Sequence, residues 1–509
     1  MLLFRLVSAT DAAAATSSRL AKVAALADVL AGLDAAEIPI AIGYLVAKPR
    51  QGRLGIGWRS LSAVDVVHAA EPALTLADVD AALTALARAE GPGSAAVRRA
   101  TLESLAARTT ATEWDFLARV ILGELRTGAL EGVLVDAVAK AAGRPVAAVR
   151  RAAMLSGDLG ETARIALTEQ ADALDAVGLV VGRPVLPMLA GTAPTAGEAI
   201  TTLGGAASVE FKLDGARIQV HRDGDDVRVF TRTLADVTHR LPEIVEVVRS
   251  LPAQQLILDG ETLSLDEDGG PRAFQDTMAR FGSETTDAAA IALRPWFFDL
   301  LHVDGRDLID EPLEVRRREL ERIAGAWQVP GIVTADPAAA DAFADDALAA
   351  HHEGVVVKAV DSPYTAGRRG RTWIKVKPVL TFDLVVLGVE AGSGRRTGML
   401  SNLHLGARDP AGEFGDPGGF VMVGKTFKGL TDQLLRWQTE HFPSIETRRT
   451  AHTVFVRPET VVEIAIDGVQ RSTRYPGGVA LRFARVKGYR LDKTAADADT
   501  IDVLRGLLP

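Results

Sequence analysis

The chain changes its hydrophobic period twice. Over about the first 180 residues apolar positions recur at helical spacing, as in Trp114, Leu117, Val120, Ile121 and Leu125, within an alanine-rich background broken by glycine and proline turns at 143–145 and 157–160. That spacing predicts short packed helices. After the proline-punctuated run RPVLPMLAG (183–191) the alternation shortens to two residues in SVEFKL, ARIQVHR, DVRVFTR, LILDGETLSL, PWFFDLLHV, EGVVVK and WIKVK, the pattern of strands in a mixed α and β region. From Thr381 onward TFDLVVLGVEAG, SNLHLGARD, FVMVGKTF, VVEIAIDGV and VALRFARV are short strands between glycine-rich turns, as in a small β-barrel. A chain of 509 residues exceeds one core. The expected division is a helical domain at 1–180, an α+β domain at 181–378 and a barrel at 379–509.

Facing follows from the same alternation. Around 209–214 a regular strand puts Val209, Phe211 and Leu213 on one side and Glu210, Lys212 and Asp214 on the other, so one face packs while the other presents an amine between two acids. In WIKVK, Trp373, Lys375 and Lys377 share a face. Phe298 and its neighbour Phe297 point oppositely. Lys358 lies five residues from Glu353, which by strict alternation sends the two to opposite faces unless the strand bulges.

Composition narrows the chemistry. The hydrophobic content of 48% is that of a folded chain. Without cysteine there are no disulfides, thiolate zinc sites or cysteine nucleophiles, which fits a reducing interior. The apolar start MLLFRLVSATDAAAA is interrupted by Arg5 and reads as mature sequence, and no apolar run reaches the ~18 residues of a membrane span. The expectation is a cytoplasmic protein that does not enter a membrane. A net charge of −9 excludes a wholly basic nucleic-acid binder but hides local contrast. Acid gathers at 336–353, as on a solvated helix face. Arg368, Arg369, Arg371, Lys375 and Lys377, and later Arg471, Arg474, Arg482, Arg485, Lys487 and Arg490, form two stretches free of acid that suit a phosphate-binding cleft.

Seven short motifs then stand in order: Lys212-Leu213-Asp214-Gly215 with Arg217, TRTLADVT with Arg232, LDGE with Glu261, WFFDL with Phe298, EGVVVK with Glu353, WIKVK with Lys375 and Lys377, and RLDK at 490–493. Each alone is weak; their order over nearly 300 residues is specific. The chain resembles the covalent nucleotidyltransferases and, with its helical first region, the three-domain ATP-dependent DNA ligases. The resemblance implies an all-α DNA-binding domain, an α+β nucleotidyltransferase (adenylation) domain and a C-terminal OB-fold barrel, acting as a monomer on nicked double-stranded DNA in replication, recombination or repair. It implies ATP and Mg²⁺ as cofactors and Lys212 as the nucleophile that takes AMP.

By the same resemblance Glu210 recognises the adenine edge and Phe298 stacks on the ring. Arg217 and Arg232 hold the ribose-phosphate region and the 5′-phosphate of the nick, Arg369, Lys375 and Lys377 bind nucleotide phosphate, and Arg490 and Lys493 orient the departing pyrophosphate. Glu353 is assigned to metal; Glu261 to ribose or metal. A lysine nucleophile must be neutral, whereas a free lysine titrates near ~10.4. Arg217, Lys375, Lys377 and a divalent cation disfavour its charge and Asp214 favours it, a balance the sequence leaves open. The resemblance also implies that the barrel swings about a hinge near 378–382. Residue 484 is alanine where the family usually has proline, which puts the local turn in question.

RNA ligases and messenger-RNA capping enzymes share the catalytic motifs, but the large helical region points away from them. NAD-dependent ligases characteristically carry a four-cysteine zinc module, which this chain lacks. A non-catalytic duplex-binding protein on the same fold is opposed by the intact Lys212, Glu353 and Lys375. If the helical region only grips DNA, residues 181–509 alone should still form the AMP adduct and should seal nicks poorly.

Overall fold

The computed structural model describes residues 1–508 apart from 53, 126–130, 267–268, 273, 283–292, 366–368 and 393–395, with residues 171, 282 and 369 described by backbone alone. Among the described residues the first region is all helix, with ten α-helices from Leu3–Ala14 to Leu159–Thr168 around one core that includes Leu3, Leu26, Leu83, Phe116 and Val138. The opening apolar residues belong to that core: Leu3, Leu6 and Val7 are buried. Helix ends are set locally. Thr110 and Glu113 cap each other's backbone at the start of Ala111–Leu122, and Gly123 closes that helix, leaving Leu125 beyond it. No described helix is long and apolar enough to cross a membrane.

The middle region consists of two five-stranded sheets. The first runs Leu189–Thr192, Arg369–Val376, Val355–Ala359, Ala207–Phe211 and Gly331–Thr334, with only the outermost Leu189–Thr192 pairing parallel. That strand lies where the sequence reads as a proline-rich connection. The second runs Asp226–Thr231, Ala216–Asp223, Gln255–Ser264, Leu293–Val303 and Arg306–Asp307. Helices cover the outer faces, including the acidic Pro337–Ala349, whose Ala340 and Ala347 are buried while most of its acids face solvent. The inner faces converge on a cleft.

The last region is an OB-fold barrel built on the long strand Leu380–Ala391. One edge of this strand pairs with Val461–Ile466 through its first half and with Thr453–Val456 through its second; the other edge pairs with Leu400–Asp409. Gly419–Thr426 continues the sheet, and Arg485–Tyr489 pairs with Val461–Ile466. The hairpin Gly468–Arg471 and Val479–Arg482 stands apart and reaches toward the middle region. At the alanine that replaces proline, Phe483 adopts a positive φ of 52° and the Ala484 carbonyl accepts a 2.5 Å bond from the Thr426 hydroxyl, so the turn forms without proline.

Candidate active site

Lys212 follows directly on the strand Ala207–Phe211, whose apolar side packs on the helix Pro337–Ala349 through Phe211 and Phe343, 4.9 Å apart. Its backbone N–H donates to the Gly354 carbonyl (2.8 Å) and its carbonyl accepts from the Glu353 N–H (3.0 Å). The two segments therefore stay locked together past the strand end. Its ammonium forms an ion pair with Glu353 at the floor of a cleft of about 860 Å³. Gly354 has φ of +133°, a conformation that L side chains rarely adopt, and it breaks the alternation between Glu353 and the strand Val355–Ala359. Glu353, Val356 and Lys358 consequently all line the cleft. Strict alternation had separated Glu353 from Lys358; the backbone kink removes that conflict.

The charge balance at Lys212 now has an order. Burial is the largest influence and pulls the ammonium down to about 8; Glu261 and Asp214 oppose, while Lys377 and Lys375 push the same way as burial. Arg217 is spent elsewhere. Its guanidinium forks onto Asp259 (3.1 and 2.7 Å) and donates to the Met188 carbonyl (2.7 Å), and the pair is backed by the Tyr364 hydroxyl, which donates to Asp259 at 2.7 Å. Glu261 lies opposite Arg217 across the sheet, and burial pushes its carboxyl up to about 7 against the pull of Lys212 and Arg217.

A second group forms the far wall. Phe298 lines the cleft and Phe297 is wholly buried. Phe298 meets Trp373 edge to face at 6.0 Å, and the Lys358 ammonium sits 4.5 Å from the first ring and 4.3 Å from the second. Glu210 also lines the cleft, but its buried carboxylate is held by Lys358, by the Ser208 hydroxyl (2.7 Å) and by Arg317 (2.9 Å). Its carboxylate is thus already engaged by three protein groups. Burial pulls the Lys358 ammonium below its ordinary value, with Glu210 opposing.

Arg232 lies exposed on the rim beside Thr231 and Thr233, and Lys375 lines the floor. Lys377 bridges 2.7 Å to Asp467 of the barrel and stands 3.9 Å from Glu353. The backbone of Arg369 pairs with Leu189, and its side chain lies outside the described residues. Arg490 and Lys493 do not reach the cleft: both bind Asp383, and Arg490 also forks onto Asp492. Their place at the cleft is taken by Arg482 and Phe483. Arg482 forks onto Asp214 (2.6 and 3.1 Å) and lies 4.8 Å from the Phe274 ring.

Sequence reasoning therefore missed the partners more than the cations. Asp259 precedes Glu261 by two residues on the same strand, a spacing that marks it as a neighbour. Arg482 belongs to an acid-free run already visible in the sequence. Tyr364, Arg317 and Asp467 carried no local signal. Among the described residues no cluster of three or more His, Asp or Glu is gathered to hold a metal. Glu353 and Glu261 face the amine from the acid side at the floor, with Asp214 nearby but forked by Arg482. That donor set suits Mg²⁺, which takes one or two carboxylates and fills its remaining positions with water and substrate phosphate.

Comparison with known proteins follows the same three parts. Residues 60–139 match the DNA ligase N terminus family, 187–377 the ATP dependent DNA ligase domain, and 396–493 the ATP dependent DNA ligase C terminal region. A protein of Pseudarthrobacter chlorophenolicus named "Probable DNA ligase" is 68% identical over 508 residues, covering 100% of both chains. Another of that name from Rhodococcus jostii is 57% identical over 509 residues, again covering 100% of both. The solved structure described as Pmar-Lig_PreS3 has the same fold, with a TM-score of 0.63 at 18% identity over 95% of this chain and 99% of that one.

Proposed function

Because the chain belongs to the ATP-dependent DNA ligase family, we propose that Lys212 is the residue through which it uses ATP to seal nicks in duplex DNA. The observation that carries this reading is the half-buried Lys212 amine, paired with Glu353 at the floor of a cleft lined by Lys375, Arg232 and an aromatic wall, where its partial burial draws it toward the neutral form. The neutral Nζ attacks the α-phosphorus of ATP; a P–N bond forms, the bond to the β-phosphate oxygen breaks, and pyrophosphate leaves as the nitrogen loses a proton. An oxygen of the nick's 5′-phosphate then attacks the adenylyl phosphorus, the P–N bond breaks, and Lys212 regains its proton. Finally the 3′-hydroxyl oxygen attacks the 5′-phosphorus, releasing AMP and leaving a phosphodiester.

The residues divide the work by what they touch. Phe298 offers a flat face to adenine, with Glu210 behind it, fixed by Ser208, Arg317 and Lys358. Lys375, Lys377 and Arg369 are proposed phosphate ligands, as is Arg232 on the rim, where a DNA 5′-phosphate can reach it. Arg217 supports the wall through Asp259 and Met188 in place of a direct grip. Arg490 and Lys493 act on pyrophosphate once the barrel has turned about 378–382 and carried them, with their barrel partner Asp383, to the cleft, where they exchange that carboxylate for phosphate. Glu353, with Glu261 beside it or on the ribose, would hold Mg²⁺, whose chemistry there would be the neutralisation of phosphate charge. We further propose domain boundaries after residues 180 and 378, and a monomer working in the cytoplasm, since one chain supplies every motif.

The test is to incubate the full chain with ATP labelled at the α-phosphate, then add pyrophosphate or nicked duplex. The expected result is a covalent label that either addition discharges, with sealed strands appearing only after DNA. Label that survives nicked duplex while no strand is sealed contradicts the proposal.

A further inference from the structure

The helix Val146–Ser156 belongs to the helical region by sequence, yet its last turn is packed into the cleft's supporting wall. Met154 and Leu155 are buried in one cluster with Val185, Met188, Tyr364 and Trp373, against which Phe298 also packs. The Leu186 N–H donates to the Met154 carbonyl at 3.1 Å, fixing the segment that leads into Met188. Met188 is itself a lining residue: its carbonyl holds Arg217, and its N–H donates to the Tyr364 hydroxyl at 3.0 Å.

Gly157, which ends this helix, touches two lining segments at once. It has φ of +67°, and a Cβ there would stand 2.6 Å from the Pro184 carbonyl oxygen and 3.1 Å from Leu234 Cδ1. Pro184 lies on the segment that continues into Met188. Leu234, also at positive φ, closes the turn through its N–H to the Thr231 carbonyl (2.9 Å), and this turn presents its central residues Arg232 and Thr233 to the cleft. Nearby, Arg151 forks onto Asp310 (2.6 and 2.6 Å), next to Ile309 of the shared cluster, so the docking has a polar clasp at its edge.

We propose that Gly157 and Met154 are positioning residues for the nucleotide: the end of this helix sets the spacing between the 184–188 segment and the 231–235 turn, and with it the width of the ATP site. The inference rests on the proposed use of this cleft for ATP. It adds to the helical region a part in adenylation besides any part in holding DNA, and it modifies the expectation for residues 181–509, which would lack Met154, Leu155 and Gly157. No contact with ATP is required of either residue. A closer approach at Gly157 must move Pro184 or Leu234, and a void at Met154 lets Met188 and Trp373 relax.

The experiment compares full-length wild type with Gly157→Ala, Gly157→Asn and Met154→Ala, measuring the KM and rate of adduct formation with ATP and, separately, the Kd for nicked duplex. Asparagine tolerates positive φ but still carries the Cβ, so it separates close approach from backbone strain. The expected result is a KM for ATP raised roughly tenfold in both Gly157 variants and several-fold in Met154→Ala, with the rate at saturating ATP and the Kd for duplex changed less than about twofold. Should a Gly157 variant fail to fold, Met154→Ala carries the test alone. Folded variants with unchanged KM, or with a loss confined to duplex binding or to melting temperature, overturn the inference. If wild type forms no adduct with ATP, the underlying reading of the cleft fails instead, and the two failures are distinct.

Discussion

Two basic edges of the barrel, a few residues apart in sequence, behave differently. Arg482, at the end of the hairpin strand Val479–Arg482, enters the cleft and forks onto Asp214 beside the nucleophile. Arg490 and Lys493, just beyond the strand Arg485–Tyr489, point to Asp383 at the base of the barrel's own long strand. The motif that resemblance ties to pyrophosphate is thus held away from the cleft, while Arg482 and Phe483, outside the motif, line it. On the proposed reading, in which one edge serves ATP and the other the later steps, an idle edge should be paired with acid, because an unpaired basic edge would attract phosphate at the wrong stage. Asp383 fills that role for the Arg490 and Lys493 edge, whereas Asp214 belongs to the cleft and meets Arg482 where that edge docks.

The largest effect should come from emptying the idle edge. Arg490→Ala combined with Lys493→Ala should lower adduct formation from ATP by ~10²–10³-fold, the scale of losing preorganised charge stabilisation. Sealing of a nick that already carries AMP should change only a few-fold. Equal losses in both assays would erase the division between edges. Arg482→Ala should do the reverse. It leaves Asp214 without its fork, and sealing of pre-adenylated nicks should fall roughly 30-fold, as for a lost charge-assisted hydrogen bond of about 2 kcal/mol, while adduct formation stays near wild type.

Acidity separates the same two stages. Burial draws Lys212 down to about 8. The amine must be neutral to attack, so adduct formation should rise with pH, flatten above about 8, and fall ~10-fold per unit below it. Sealing of pre-adenylated nicks, in which Lys212 does not attack, should lack that limb when both pH profiles are measured. The smallest effect belongs to Arg485→Ala. Its side chain is 42% exposed and Asp467 keeps Lys377, so thermal unfolding should register less than ~1 kcal/mol and neither reaction should change by more than twofold.

Periodicity carried much of this architecture, because packing imposes a two-residue repeat on the strands bearing Glu210, Arg217 and Lys375, and Glu261 and Phe298 keep their place despite a register shift where Asp259 pairs with Asp299 and Gly260 with Phe297. It failed where the backbone departs from regularity. Gly354 turns Glu353 and Lys358 to the same side, which no count of positions foretells. Leu189–Thr192 pairs along Arg369–Val376 although prolines surround it, since an outermost strand tolerates missing donors. The partners Asp259, Tyr364, Arg317 and Asp467 come from distant segments, and only folding shows that Arg217 and Glu210 are already engaged. The stage of the barrel was beyond reach for a related reason: sequence names the residues of both edges but not which one is docked.

The central claim is that the Lys212 amine is the atom that accepts AMP. Intact-mass measurement and peptide mapping after incubation with ATP test it most directly, comparing wild type with Lys212→Arg, which keeps the charge but stays protonated. The predicted result is one added adenylyl group on the peptide containing Lys212 in wild type and none in the variant. An adenylyl group that persists in Lys212→Arg, or that maps to another peptide in wild type, would contradict the account.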